Sequence, residues 1–554
     1  MSVRKITESM VLSGIRRKLD QWGIREKVPQ SIEIPKQPEH GDFSTNAALQ
    51  AARLLGRPPR EVAGEILEAI REEDRRGWFR SLSVAGPGFI NLVLSDEAWR
   101  EGLAEVLREG SRFGGSRPET PERVLLEFVS ANPTGPLHVG HGRGAAVGDA
   151  LVRILRFAGY EVDSEYYVND VGNQMEKLGA SLHARYLQRC GVPAPLPEDG
   201  YRGEYLVRLA EEIFGEIGDR YRSTPPEEAL PWFREEACNR ILQGIREDLE
   251  IFRVRFDRWF REETLHRQGI VSDSIGELTR RGQTYRSEDA VYFRSGSLGD
   301  EKDRVLVRAD GRTTYFAADL AYHRDKLKRG YDRCIDIWGA DHHGYAPRLS
   351  AALKGIGEDE RRLEILLVQF VTLIREGKAV QMSTRSGEFT TLREVIEEVG
   401  TDAARFFYLL RSASSHLDFD LTLAKTRSRE NPVYYIQYVH ARICSLFREA
   451  GSRGIHLEKD PSLASLDHPD ELHLMKEVAK FPEVVSAAAG QREPHRIPFY
   501  LLDLAREFHA FYHHHRFLDE RPGKMQARMA LAAAVRQVVA TGLSLIGVSA
   551  PEAM

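Results

Sequence analysis

The stretch that most constrains this chain is Glu127-Phe-Val-Ser130-Ala-Asn132-Pro-Thr-Gly135-Pro-Leu-His138-Val-Gly140-His141. An apolar run (Val124, Leu125, Leu126, Phe128, Val129) breaks into a Pro/Gly loop, and a helical pattern resumes near Gly142. Strand, glycine loop and helix start together direct free backbone N–H groups and a helix dipole at one point, which suits phosphate. Two imidazoles beside that point, His138 and His141, can stabilise charge developing on phosphate oxygens without attacking them. Gly140, Gly142, Gly144 and Gly148 miss the G-x-G-x-x-G spacing because position 145 is Ala, and no G-x-x-x-x-G-K-S/T loop occurs. On these residues alone, a structural strand-to-helix turn is as good a reading as a nucleotide site.

Further apolar runs at 161–168, 333–340 and 364–374 alternate with helical patterns, which predicts a mostly parallel sheet with crossover helices. The helix after His141 carries Val147, Leu151, Ile154, Leu155 and Ala158 at three- and four-residue spacing, so one face packs on that sheet. The polar segment 180–290 reads as an insertion, not as part of the sheet core. Residues 1–115 form an N-terminal unit with helical stretches (Ile6 to Trp22, Ser44 to Leu55) and a strand-like run from Gly88 to Leu94. Beyond 401 helical runs dominate, at 433–450, 472–487, 498–516 and 526–546. The first 22 residues read as a surface helix, because Glu8 and Asp20 interrupt a transit-peptide pattern. Arg536 and Gln537 make 529–548 a packed core helix and not a membrane span.

With 554 residues the chain has room for about three domains. Its net charge of −5 offers no overall basic field, although local Lys/Arg patches can still bind nucleic acid. The four cysteines, Cys190, Cys238, Cys334 and Cys444, are isolated. That argues against both a zinc site and a secreted disulfide framework, and fits a reducing, cytoplasmic compartment.

His138-Val-Gly-His141 resembles the "HIGH" signature of class I aminoacyl-tRNA synthetases, and its surroundings resemble the arginyl-tRNA synthetase family. The resemblance rests on Glu127 to Pro133, Gly142 to Asp149, Tyr166-Tyr-Val-Asn-Asp170-Val-Gly-Asn-Gln174, Thr314 to His323, Trp338 to His342, Met382-Ser-Thr-Arg385 and Asp402-Ala-Ala-Arg405, in family order. It implies a multidomain α/β fold: an α+β tRNA-elbow-binding domain (1–115), a Rossmann-like parallel-sheet catalytic domain (116–400, insertion at about 180–290) and an all-α anticodon-binding bundle (401–554). It implies ATP-dependent activation of L-arginine to arginyl-adenylate and transfer to the 3′ end of tRNA(Arg), with Mg²⁺ on the ATP phosphates and no dedicated protein metal cage. The family is usually monomeric and usually needs tRNA before it forms adenylate.

Residue by residue, the resemblance puts His138, Gly140 and His141 along ATP. Glu127, Ser130 and Asn132 would take the α-amino and carboxylate ends of arginine. Tyr315 and Asp319, four apart and so on one helix face, would take its guanidinium, whose five fixed donors demand carboxylates and carbonyls. Asp341 offers a second acid. The family's K-M-S-K-S loop is here Gln381-Met382-Ser383-Thr384-Arg385, lacking both lysines. Met382 and Ser383 keep its ATP-binding core, and Arg385 or Lys378 is expected to supply the missing charge. Phe89 and Asn91 resemble residues that hold a tRNA nucleotide, although Phe89 as sheet core is an equal reading. Tyr434, Tyr435, Tyr438, Phe511 and Tyr512 could stack anticodon bases but mostly suit a bundle core. The run His513-His514-His515 cannot converge on one ion from a helix and reads as solvated or RNA-facing surface. The missing lysines leave one alternative, a catalytically inactive synthetase-like tRNA-binding protein. Cysteine specificity is a weaker one, because its expected zinc cysteines are lacking.

Overall fold

The computed structural model describes residues 2–24, 28, 31–380, 390–518 and 521–554. Its centre is a five-stranded, all-parallel sheet in the order Leu363–Val368, Arg333–Gly339, Arg123–Glu127, Glu161–Val168, Arg258–Arg261. Val124, Leu125 and Leu126 are at most 1% exposed, because helices cover both faces; hence the continuous apolar run. The chain leaves Arg123–Glu127, builds the sheet to one side, and returns to build the other side. That reversal opens a crevice at the carboxyl ends of the central strands, where ligands of open α/β sheets bind.

Two sequence expectations need correction here. The segment 180–290 is not wholly outside the sheet: after the helices Glu204–Ile217 and Pro226–Ile251 it returns the edge strand Arg258–Arg261. Only Phe260 of that strand is buried, so no apolar run betrays it. The run 364–374 is two strands, with Val371–Arg375 leaving to pair with Lys378–Ala379 and Leu417–Asp420. The N-terminal helix, Val3–Gln21, is the surface helix expected, with Lys5, Ser13 and Asp20 exposed and the opposite face packed inward. Val11 and Ile15 are fully buried, and a Cβ on Gly14 would lie 2.8 Å from the Ile70 backbone nitrogen in the helix Pro59–Glu73.

The N-terminal unit otherwise holds a three-stranded antiparallel sheet with Phe89–Leu94 at its centre. The C-terminal part is a bundle of Pro432–Ser452, Pro469–Ala479, Phe481–Gly490, Arg496–His514 and Pro522–Leu545. The last of these is the packed core helix expected, with Leu531, Val535 and Leu543 fully buried. Among the described residues no helix is long and apolar enough to cross a membrane.

Asp402 and Arg405 join these parts. Arg405 is fully buried; it donates to the carbonyls of Ile546 and Phe252, both at 2.9 Å, and pairs with Asp149. Asp402 accepts from Ser549 N–H at 3.0 Å and Gln437 Nε2 at 2.9 Å, and pairs with Arg253. The end of the bundle is thus bonded to the sheet domain through buried charge.

Candidate active site

The helix Val139–Phe157 begins three residues before Gly142, because His138 caps it. Gly140 N–H donates to His138 Nδ1 at 3.1 Å, and His138 N–H donates to His141 Nδ1 at 3.3 Å. Val139 N–H donates to the Thr390 carbonyl at 3.2 Å. These N–H groups are therefore not free for an anion, as the sequence suggested. With both Nδ1 atoms accepting, each neutral imidazole carries its proton on Nε2. The rings stack at 3.7 Å. Burial holds His138 below the usual histidine range, and burial with the neighbouring ring holds His141 down at about 3, so both stay neutral donors at physiological pH.

The loop before them is held in a strained shape. Val129 and Ser130 have φ of +67° and +40°, and Ser130 N–H donates back to the Phe128 carbonyl at 2.9 Å, closing a γ-turn. A β-branched residue there costs on the order of 1–3 kcal/mol. Ser130 Oγ, donating to Glu127 at 2.8 Å and accepting from Tyr167 N–H at 3.1 Å, helps enforce the turn, as does Tyr166 OH on the Ala131 carbonyl at 2.8 Å. Gly148 lets the signature helix meet the strand end, since a Cβ there would sit 2.2 Å from the Phe128 ring.

Glu127 does not face the crevice. It is buried against Lys326, so any hold on a ligand passes through Ser130. Asn132 is exposed, with its amide donating to Gln174 at 3.0 Å. Tyr315 and Asp319 do share one face of the helix Tyr315–Lys328. The Tyr315 ring is 51% exposed, its hydroxyl against Gly172. Asp319 accepts from Tyr345 OH, and burial pushes its carboxyl above the usual range. Asp341 does not join it: that residue is exposed, 3.5 Å from His342, and the residue of its segment that reaches Asp319 is Tyr345.

The second acid is Glu262, which the sequence reading missed. It is 4% exposed at the end of the edge strand; burial pushes it up to about 7, with the charges of Asp319 and Asp170 adding to the shift. Asn169, its amide nitrogen turned toward the acceptors, donates to Glu262 at 3.1 Å, and His266 lies 3.5 Å away. Tyr167, 9% exposed, turns its hydroxyl toward Glu262 and holds that carboxyl lower than burial alone would. Among the described residues neither acid forms an ion pair with a lysine or arginine, which makes a site suited to a cation with several donors.

Met382, Ser383 and Arg385 lie outside the described residues. The chain that follows them is tied to the signature turn: Leu392 N–H donates to the Leu137 carbonyl at 2.8 Å, and Thr391 bridges His138. Lys378 is exposed on the short strand before them. The fully buried Arg143 gathers the carbonyls of Gln369 and Ser415 at 2.8 Å and Ser412 at 2.9 Å, which fixes the neighbouring loops.

Farther off, Phe89 is 38% exposed at the start of its strand, whereas Asn91 is only 8% exposed. In the bundle Phe511 is core, while half-buried Tyr434, Tyr435, Tyr438 and Tyr512 are laminated with His509 and Arg442. Of the three consecutive histidines, His515 meets Asp470 at 2.8 Å and faces Arg528 at 3.4 Å through Nδ1, with His468 nearby. An Nδ1 that accepts from arginine leaves the proton on Nε2, the atom a metal would need.

Three family models match the chain: the arginyl tRNA synthetase N terminal domain over 10–94, the class I (R) tRNA synthetase catalytic domain over 103–408, and the DALR anticodon binding domain over 436–554. An arginine–tRNA ligase of Syntrophotalea carbinolica is 50% identical over 529 residues, 95% of each chain. That of Bacillus subtilis is 43% identical over 558 residues, the whole of both. The arginyl-tRNA synthetase structure from Thermus thermophilus covers the full length of both chains with a TM-score of 0.78 and 25% identity.

Proposed function

This chain belongs to the arginyl-tRNA synthetase family, and we propose that it is an arginine–tRNA ligase. It activates L-arginine with ATP to arginyl-adenylate, releasing diphosphate, and transfers the arginyl group to the 3′ end of tRNA(Arg), releasing AMP. The observation that carries the site assignment is the pair of acids, buried Glu262 and half-buried Asp319, each meeting a tyrosine hydroxyl, Tyr167 and Tyr345. A guanidinium supplies the missing charge and spreads its donors over both acids, with Tyr315 alongside.

At the other end of the pocket, Ser130 and Asn132 hold the amino and carboxylate groups, with Glu127 acting through Ser130. The substrate carboxylate attacks the α-phosphorus of ATP. Neutral His138 and His141 donate from Nε2 to the phosphate oxygens as charge builds there, with Gly140 leaving room along the nucleotide. The groups of this turn are N–H donors, which suit phosphate oxygens and not a cation. Mg²⁺ would accordingly ride on the ATP phosphates and neutralise part of their charge. Met382 and Ser383 contact ATP, and Arg385 or Lys378 replaces the absent lysines. Phe89 and Asn91 contact the tRNA elbow, and the half-buried tyrosines of the bundle face the anticodon. The protein works as a cytoplasmic monomer.

The test is ATP-dependent attachment of arginine to tRNA(Arg), with ATP–diphosphate exchange followed in parallel. Charging is expected, with exchange negligible until tRNA is added. A chain that binds tRNA(Arg) yet forms no arginyl-tRNA is the inactive alternative, and the proposal fails.

A further inference from the structure

A second set of buried charges lies beneath the pocket, around Lys326. The helix Tyr315–Lys328 turns Asp319, His323 and Lys326 toward the sheet at spacings of four and three residues, which is one helix face. Lys326, fully buried, places its ammonium between Glu127 and Asp336, the latter at 2.7 Å. Those two carboxylates are register partners on adjacent parallel strands, and without a cation between them they would repel. Burial works against the charge of Lys326, yet Asp336 and Glu127 hold it above the usual lysine value.

The same acids reach outward in opposite directions. Glu127 accepts from Ser130 Oγ at 2.8 Å, at the strained turn. Asp336 bonds His323 Nε2 at 2.7 Å, and His323 Nδ1 bonds the Asp319 backbone carbonyl, also at 2.7 Å. A continuous chain of bonds therefore runs from Ser130 to Asp319 through the floor of the crevice.

We propose that Lys326 is a positioning residue that sets the length of the amino-acid pocket, by locking the turn carrying Ser130 to the helix carrying Asp319 through Glu127, Asp336 and His323. The inference rests on the arginine-pocket reading above and goes beyond it. Lys326 touches no substrate. It fixes the separation between the groups that take the α-amino end and those that take the guanidinium, so that a side chain one methylene longer fits poorly. Networks of this kind hold geometry because every member is satisfied, and they slacken when one member is lost.

The experiment compares arginine with homoarginine, its one-methylene homologue, in tRNA charging by the full chain. Lys326→Met removes the central charge, and Asp336→Asn keeps the shape of the network while removing one of its charges. Should Lys326→Met fail to fold, Asp336→Asn, checked by circular dichroism and thermal melting, decides. One methylene is ordinarily worth roughly 10- to 200-fold in kcat/KM, and the variants are expected to bring that preference below about tenfold. In the same variants the KM for arginine should rise about tenfold or more, while the KM values for ATP and tRNA stay within about twofold. A role in stability alone would lower the melting temperature and leave the arginine-to-homoarginine ratio where it was; that result in folded Asp336→Asn overturns the inference. Wild-type protein that charges neither amino acid overturns the pocket reading itself, and this inference with it.

Discussion

The pocket around Asp319 and Glu262 and the junction around Arg405 both bury charge and use it in opposite ways. At the junction every charge is answered: Arg405 has two carbonyls and Asp149, and Asp402 has Arg253, a backbone N–H and an amide. In the pocket Asp319 and Glu262 have two hydroxyls, an amide and a histidine, and among the described residues no ion pair with a lysine or arginine. The junction is therefore a fastening, and the pocket, on the proposed reading, takes its counter-charge from the substrate. Depth of burial does not separate the two; the presence or absence of a counter-charge does.

The sharpest way to break this contrast is Asp319→Asn. Losing one charged partner of a desolvated guanidinium costs about 3–5 kcal/mol, so kcat/KM for arginine should fall by roughly two to four orders of magnitude. The melting temperature should hold or rise, because the substitution relieves like-charge crowding with Glu262. A variant that loses stability and keeps its arginine kinetics would put Asp319 in the fastening class. Arg405→Met should do the reverse, lowering unfolding free energy by about 1–3 kcal/mol in denaturant titration, because the carbonyls of Ile546 and Phe252 lose their donor while Asp149 keeps Arg153 at 2.6 Å.

The contrast should also appear in pH. Burial pushes Glu262 up to about 7, and a guanidinium bound as proposed would favour its ionised form. Arginine binding below pH 7 must then drive off a proton. Affinity measured by calorimetry should weaken about tenfold per unit as pH falls below about 7, level off above it, and lose this slope in Glu262→Gln. Asp402 gives the smallest effect and the opposite type. Although burial works against its charge, Ser549 and Arg253 hold it below the usual aspartate value. Its contribution to stability is thus present above the unfolded-state value and lost as pH falls through the lower folded-state one. Asp402→Asn should cost about 1 kcal/mol at neutral pH and remove that acid-side loss in denaturant titrations across pH.

How much of this the residues announced follows the same division. Tyr315 and Asp319 could be paired from a four-residue spacing, and the central strands from their apolar runs, because both signals are local. Glu262 could not. It follows an edge strand with one buried residue, Phe260, and sits beside Glu263, so in sequence it looks like solvated charge. Arg143 and Arg405 are disguised in the same way, since a guanidinium that collects carbonyls from distant loops has no partner nearby in the chain. The histidines were found, but the direction of their Nδ1 atoms was not, because a helix cap depends on backbone geometry and not on composition.

Asp149 lies eleven residues along the helix that His138 caps, roughly 16 Å away at the usual rise per residue. One rigid strut therefore has the phosphate-facing imidazoles at its tip and the bundle's bolt partway down its shaft. Torque applied to the bundle by a long nucleic acid would reach that tip as tilt of the strut, with no soft joint between to absorb it.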